Sequence, residues 1–137
     1  MKIDREKVLH KYDNRCAYCG KKINIRQMQV DHIVPKDMKD FVEKLVEESE
    51  EDYLKYYANS EYKYARKGLD HIDNLNPSCR RCNHYKRAST LERFRRSMKT
   101  LHERLQTYTF KVAIDYGIVE IKEWDGKFYF EKEIEDD

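Results

Sequence analysis

Cys79-Arg80-Arg81-Cys82-Asn83-His84-Tyr85-Lys86, with its earlier counterpart Cys16-Ala17-Tyr18-Cys19-Gly20, decides how this chain folds. Each stretch sets two thiols at i and i+3, so both sulfurs can reach one ion at about 2.3 Å, and two such pairs complete a closed tetrahedron. Gly20 permits the tight turn that lets backbone amides approach the sulfurs. Two other uses of the thiols compete: a redox pair and unrelated buried cysteines. A redox pair wants one low-pKa thiol at a helix start and gives no reason for a second matching pair. The pattern therefore predicts one zinc ion on Cys16, Cys19, Cys79 and Cys82. A closed four-thiolate site leaves no open position, so this zinc is expected to be structural.

Between the two pairs lies Val30-Asp31-His32-Ile33-Val34-Pro35. Ile23 to Val30 alternates weakly and predicts a strand that delivers Asp31 and His32 at its end, with Pro35 stopping regular pairing. An imidazole can take a proton from water near neutral pH. The adjacent carboxylate points to the opposite face of an ideal strand, so the two share a site only if the strand ends or bends there. Alone, Asp-His is a weak motif; its place between two zinc pairs gives it weight.

Taken together, Cys16-x-x-Cys19, Val30-Asp31-His32-Ile33-Val34-Pro35, Asp73-Asn74-Leu75 and Cys79-Arg80-Arg81-Cys82-Asn83-x-x-Lys86 resemble the zinc-containing branch of the HNH endonucleases, the ββα-metal nucleases. The resemblance covers roughly residues 14–88, less the 37–70 section. It implies that His32 is the general base and that Asp31 and Asn83 hold one divalent cation, magnesium or manganese, since oxygen ligands suit hard ions. His84 is the rival to Asn83, because many relatives carry histidine there. Asn74 matches the central asparagine, which orients the histidine or fixes its loop. The implied reaction is metal-dependent hydrolysis of a DNA phosphodiester, leaving a 5′ phosphate and a 3′ hydroxyl. The stretch after residue 90 resembles a C-terminal extension of phage- and mobile-element-type members.

Outside the motif, residues 3–12 read as a short helix and 37–67 as helical, with apolar stripes Phe41, Val42, Leu45, Val46 and then Leu54, Tyr57, Ala58, Ala65. The acidic run 47–52 is either a turn between two helices or a polar stretch of one long helix. Tyr53, Tyr56, Tyr57, Tyr62 and Tyr64 either stack on bases or pack this section together. Asn74 to Ser78 reads as a short extended segment, followed by a helix from near Arg80. From Thr90, the 3-4-3-4-3 spacing of Leu91, Phe94, Met98, Leu101, Leu105 and Tyr108 predicts one amphipathic helix ending at Gly117. Asp125-Gly126, between Ile118–Trp124 and Lys127–Glu131, predicts a β-hairpin. The fold expected is α+β: a zinc-stapled ββα-metal core (about 14–36 and 70–88), a helical insertion (37–69), and a basic helix plus hairpin (89–131), in one domain spanning 1–137.

Composition bounds the rest. Of 137 residues, 39% are charged, too many for a large core; this again favours a metal staple. The net charge of +2 hides a basic concentration over residues 80–104, where Lys86, Arg87, Arg93, Arg95 and Arg96 are the candidate phosphate contacts. The bland alternative is a solvated helix face. Acidic stretches at 47–52 and 131–137 balance it. No apolar run is long enough for a membrane span, and residues 1–7 lack the apolar stretch of a signal peptide, so a cytoplasmic location is expected, where thiols serve metals more often than disulfides. The partner expected is DNA, with the chain a monomer or a homodimer. Two rival readings are a catalytically silent zinc-stabilised nucleic-acid-binding module and a protein-interaction adaptor using the acidic run and the 91–108 stripe.

Overall fold

The structure, a computed structural model, describes residues 3–135, without the side chains of His102 and of residues 133–135; the end of the acidic stretch 131–137 lies outside the described residues. It is α+β, with eight α-helices and one two-stranded antiparallel sheet among the described residues. Helix α1 (Arg5–His10) starts where the Asp4 carboxylate accepts from the Glu6 and Lys7 amides, satisfying two of the donors that a helix N-terminus leaves open. After the first cysteine pair comes strand β1 (Gln29–His32), which pairs with β2 (Leu75–Ser78) in the register Asp31 opposite Asn76 and His32 opposite Leu75. Between them stand α2 (Lys39–Glu47) and α3 (Glu50–Tyr57), and after β2 comes α4 (Arg80–Lys86). Strands β1 and β2 with α4 form the expected ββα unit. β1 starts later than the weak alternation from Ile23 predicts, because Asn24 forms a turn with its side chain accepting from the Arg26 and Gln27 amides.

The 37–69 section is two helices, not one. The Ser49 hydroxyl accepts from Asp52 N at 3.2 Å and caps α3, while Arg66 closes the end of α2 by donating to Leu45 O and Glu48 O, each at 2.8 Å. The Arg66 guanidinium lies over the Tyr53 ring at 4.9 Å. Phe41 packs against Tyr57 and Tyr62 at centroid separations of 5.6 and 4.7 Å. These rings, above a small buried cluster of Val34, Val42 and Ala65, are what hold the section together, while Tyr56 stays exposed.

Beyond Thr90 the chain departs from expectation twice. The single helix is three: α5 (Leu91–Lys99), α6 (Leu101–Arg104) and α7 (Tyr108–Asp115). Thr100 ends the first by bonding back to Ser97 O at 3.0 Å, and Thr107 caps the third by accepting from Phe110 N. The hairpin does not form either. Asp125-Gly126 does turn, with the Asp125 carboxylate accepting from Lys127 N, but its flanks do not pair, and Tyr129–Glu135 is helix α8. The reason is competition for the same backbone: Tyr129 N donates to Tyr18 O and Phe130 N to Ala17 O at 2.7 Å. Phe128 and Phe130 are buried against Tyr18. Glu131 accepts from Phe128 N at 2.8 Å, closing the first turn of α8 in the manner of a capping box.

Candidate active site and metal centre

The four cysteine sulfurs all lie within 4.8 Å of one another, with Cys19 and Cys79 Sγ at 3.9 Å. A tetrahedron with sulfurs about 2.3 Å from its centre has edges of roughly 3.8 Å, so the cluster fits one zinc ion. Its backbone is fixed by Gly20 N to Cys16 O at 2.9 Å and Cys16 N to Lys21 O at 2.8 Å. Ala17 N donates to Pro77 O, tying the knuckle to β2. Gly20 sits at φ +78°, and an added Cβ would meet the Tyr129 ring at 2.8 Å, so only glycine serves there. Hydrogen bonds, above all from Cys16, hold the Cys19 thiol well below its ordinary value, while the bond to Cys19 pushes Cys16 up to about 11 and the bond to Cys16 pushes Cys82 up. Four thiols this close ionise together only around a cation, which is the chemistry a zinc ion supplies.

Asp31 is buried at the end of β1, 5% exposed. Its carboxylate accepts from the Tyr18 hydroxyl and from Lys86 Nζ, which stands 3.2 Å from each carboxylate oxygen. Asn76, opposite it in register, donates Nδ2 to the Tyr18 oxygen at 3.4 Å, and its own Oδ1 is buried without a described partner. Burial raises the Asp31 pKa, and the Lys86 ammonium opposes that rise. Burial and the Asp31 charge together push the Tyr18 hydroxyl well above its ordinary value, so it stays a donor.

Lys86 differs from expectation. Its ammonium is fully enclosed, donating also to His32 O at 3.0 Å and Ser89 O at 3.1 Å. It therefore binds the end of β1 to the end of α4 and is not available to phosphate. The helix turns sharply after it: Arg87 has φ +53° and ψ −145°, a conformation costing a non-glycine residue about 1–3 kcal/mol, while the Ser89 hydroxyl bonds Lys86 O. Arg95 is also committed. It donates to both Glu131 oxygens at 2.7 and 2.8 Å and lies 5.1 Å over the Phe128 ring, so it joins α5 to α8 instead of facing solvent. Arg87, Arg93 and Arg96 are exposed.

The His32 ring follows Asp31 at the strand end, its Nε2 2.8 Å from Asp70 Oδ1. Asp70 carried no sequence signal; it directly follows the 37–69 section. Asn74 is fully buried, its Oδ1 accepting from Val34 N at 2.9 Å and its Nδ2 donating to Val34 O and Leu69 O. Asn83 is half-buried on α4, with no side-chain partner among the described residues. It precedes Lys86 by three positions, hence shares a helix face with it. His84 is exposed, its ring against Tyr85. The structure thus brings Asp31, Lys86 and Tyr18 together, and sets the His32 ring against Asp70. A hard cation fits the donor chemistry of Asp31 and Asn83, two oxygen donors with water completing the shell, provided that it shares the carboxylate with Lys86.

Tyr18 is the partner that the sequence could have flagged, since it lies inside the first cysteine motif. No helix among the described residues is long and apolar enough to cross a membrane. No curated protein and no solved structure gives a significant match to the chain. The family model described as HNH endonuclease matches residues 16–48, from Cys16 through Asp31 and His32 into α2.

Proposed function

We propose that this chain is a metal-dependent DNA endonuclease in which His32 is the general base. The observation that supports the reading is that His32 and Asp31 end strand β1 of a ββα unit clamped by four cysteines. In the reaction the His32 imidazole takes a proton from water. The water oxygen attacks phosphorus, the bond from phosphorus to the 3′ oxygen breaks, and the leaving oxygen takes a proton from solvent. Asp31 and Asn83 would hold magnesium or manganese, which when bound supplies positive charge to the scissile phosphate and the departing oxygen. Lys86 and Tyr18 hold the Asp31 carboxylate in place. Arg87, Arg93 and Arg96 offer exposed guanidinium groups to the phosphate backbone, which fixes orientation without reading sequence.

One observation favours a second reading, a zinc-stabilised nucleic-acid-binding module without turnover: both Asp31 oxygens already have a cationic partner. Plasmid cleavage with and without magnesium or manganese separates the two. The endonuclease reading expects metal-dependent nicking or linearisation, and a loss of about 10²–10⁴-fold in His32→Ala with zinc content, unfolding temperature and DNA affinity retained. DNA binding without cleavage under any of these ions, or a His32→Ala variant that cuts like the parent, overturns it.

A further inference from the structure

We propose that Asp70 is a positioning residue for His32, selecting the ring tautomer and orientation that leave Nδ1 free to accept a proton; the role rests on His32 being the general base. An ionised carboxylate only accepts hydrogen bonds. With Asp70 Oδ1 2.8 Å from His32 Nε2, the hydrogen of the pair is therefore on Nε2, and the lone pair of the neutral ring is on Nδ1. No group among the described residues bonds Nδ1. A neutral histidine in the opposite tautomer would present N–H where a general base must present a lone pair, which is the reason catalytic histidines are backed by a carboxylate in other hydrolases.

The pair is held by a frame rather than by its own attraction. Asp70 stands 38 residues from His32, and the turn that carries it needs Gly68, at φ +122°, a backbone conformation open to glycine. Gly68 N donates to Ala65 O at 2.9 Å and His71 N to Gly68 O at 3.3 Å, closing the turn on both sides. The buried Asn74 amide then bonds Leu69 O, next to Asp70, and both backbone polar groups of Val34, two residues after His32. A single side chain thus fixes the spacing between the histidine and the carboxylate. The His32 side chain is 11% exposed and that of Asp70 47%. A hydrogen bond so wet on one side adds little to stability, so losing it should change the ring and not the fold. The segment that joins the 37–69 insertion back to β2 accordingly supplies the partner of the histidine.

The test uses the zinc-loaded full chain labelled with ¹⁵N, and long-range ¹H–¹⁵N spectra of the imidazoles, recorded about two pH units above the ordinary imidazole value. His32→Gln assigns the His32 signals among the five histidines. The parent is expected to show the Nε2–H form. Asp70→Ala should give a mixture of tautomers, an unchanged unfolding temperature, and a kcat about 10–100-fold lower with KM unchanged. Asp70→Asn, which keeps an accepting oxygen, should lie between, and carries the test if the alanine variant fails to fold. An Nδ1–H parent, a tautomer indifferent to Asp70, or a shifted tautomer with kcat intact overturns the proposal. A parent with the Asp70-dependent tautomer but no cleavage overturns the endonuclease reading instead and leaves Asp70 as the group that orients the ring.

Discussion

The cysteine-clamped core and the excursion from Thr100 to Lys127 both carry apolar residues at helical spacing, yet they use them differently. In the core, α5 buries Leu91 and Phe94 because Tyr18 and Phe128 stand opposite, with the Phe94 and Phe128 rings stacked at 4.7 Å. Past Thr100 the same repeat runs on, but it is not packed into the core. Leu105 is exposed, Tyr108 is 85% exposed and α7 buries no residue. The excursion leaves an apolar groove of about 660 Å³ lined by Met98, Leu101, Leu105, Phe110 and Trp124 before the chain returns to bury Phe128 and Phe130. Periodicity places side chains on one face; an opposing surface is what takes them out of water. Stability should therefore concentrate in the core and in the return, and little of it in the excursion.

The largest effect expected is loss of the metal centre. One zinc per chain should copurify, and Cys79→Ser, or extraction by a strong chelator, should unfold the core, because a structural zinc contributes folding free energy on the order of 10 kcal/mol in small modules. Metal analysis and near-ultraviolet circular dichroism give the answer. Folded protein free of zinc would mean that packing alone holds the core, and the contrast with the excursion would lose its basis.

Next is Lys86→Met, which leaves the Asp31 carboxylate buried without its cation and should cost about 3–5 kcal/mol in denaturant unfolding. The pH dependence has a definite sign. Burial already raises the Asp31 pKa in the folded chain, so folding favours its protonated form, and the stability that this provides at low pH is lost as pH rises through the folded value. Without Lys86 opposing it the rise is larger. The deficit of the variant against its parent should then grow with pH and shrink toward the ordinary aspartate value of about 3.9. A deficit independent of pH would assign the loss to packing.

The smallest effects sharpen the comparison within a single helix. Arg95→Ala should cost on the order of 1–2 kcal/mol, since it removes a forked, charge-assisted bond to Glu131 that holds the returning helix but is partly solvated. Arg93→Ala with Arg96→Ala should stay within about 0.5 kcal/mol, yet flatten the salt dependence of DNA binding by about 0.9 per phosphate contact removed. Equal stability losses in the two variants would erase the distinction between committed and free arginines.

What was legible in the sequence is what short-range chemistry dictates. Two thiols three residues apart converge whatever surrounds them, so Cys16, Cys19, Cys79 and Cys82 announce their cluster. Val30 to Pro35, ending in a proline, announces a strand end that carries Asp31 and His32. The rest needed partners distant in the chain. Lys86 and Arg95 read as surface cations, because nothing local reveals that Asp31, 55 residues away, and Glu131, 36 residues away, will enclose or pair them. Asp125-Gly126 made its turn, but the backbone expected to pair across it is taken by Ala17 and Tyr18. The residues that the site requires were thus set by the sequence alone; which face of β1 each occupies, and the Asp70 carboxylate that meets His32, were decided only when the Gly68 turn and the Asn74 amide closed the insertion back onto the strand, because hydrogen bonds across tens of residues have no local signature.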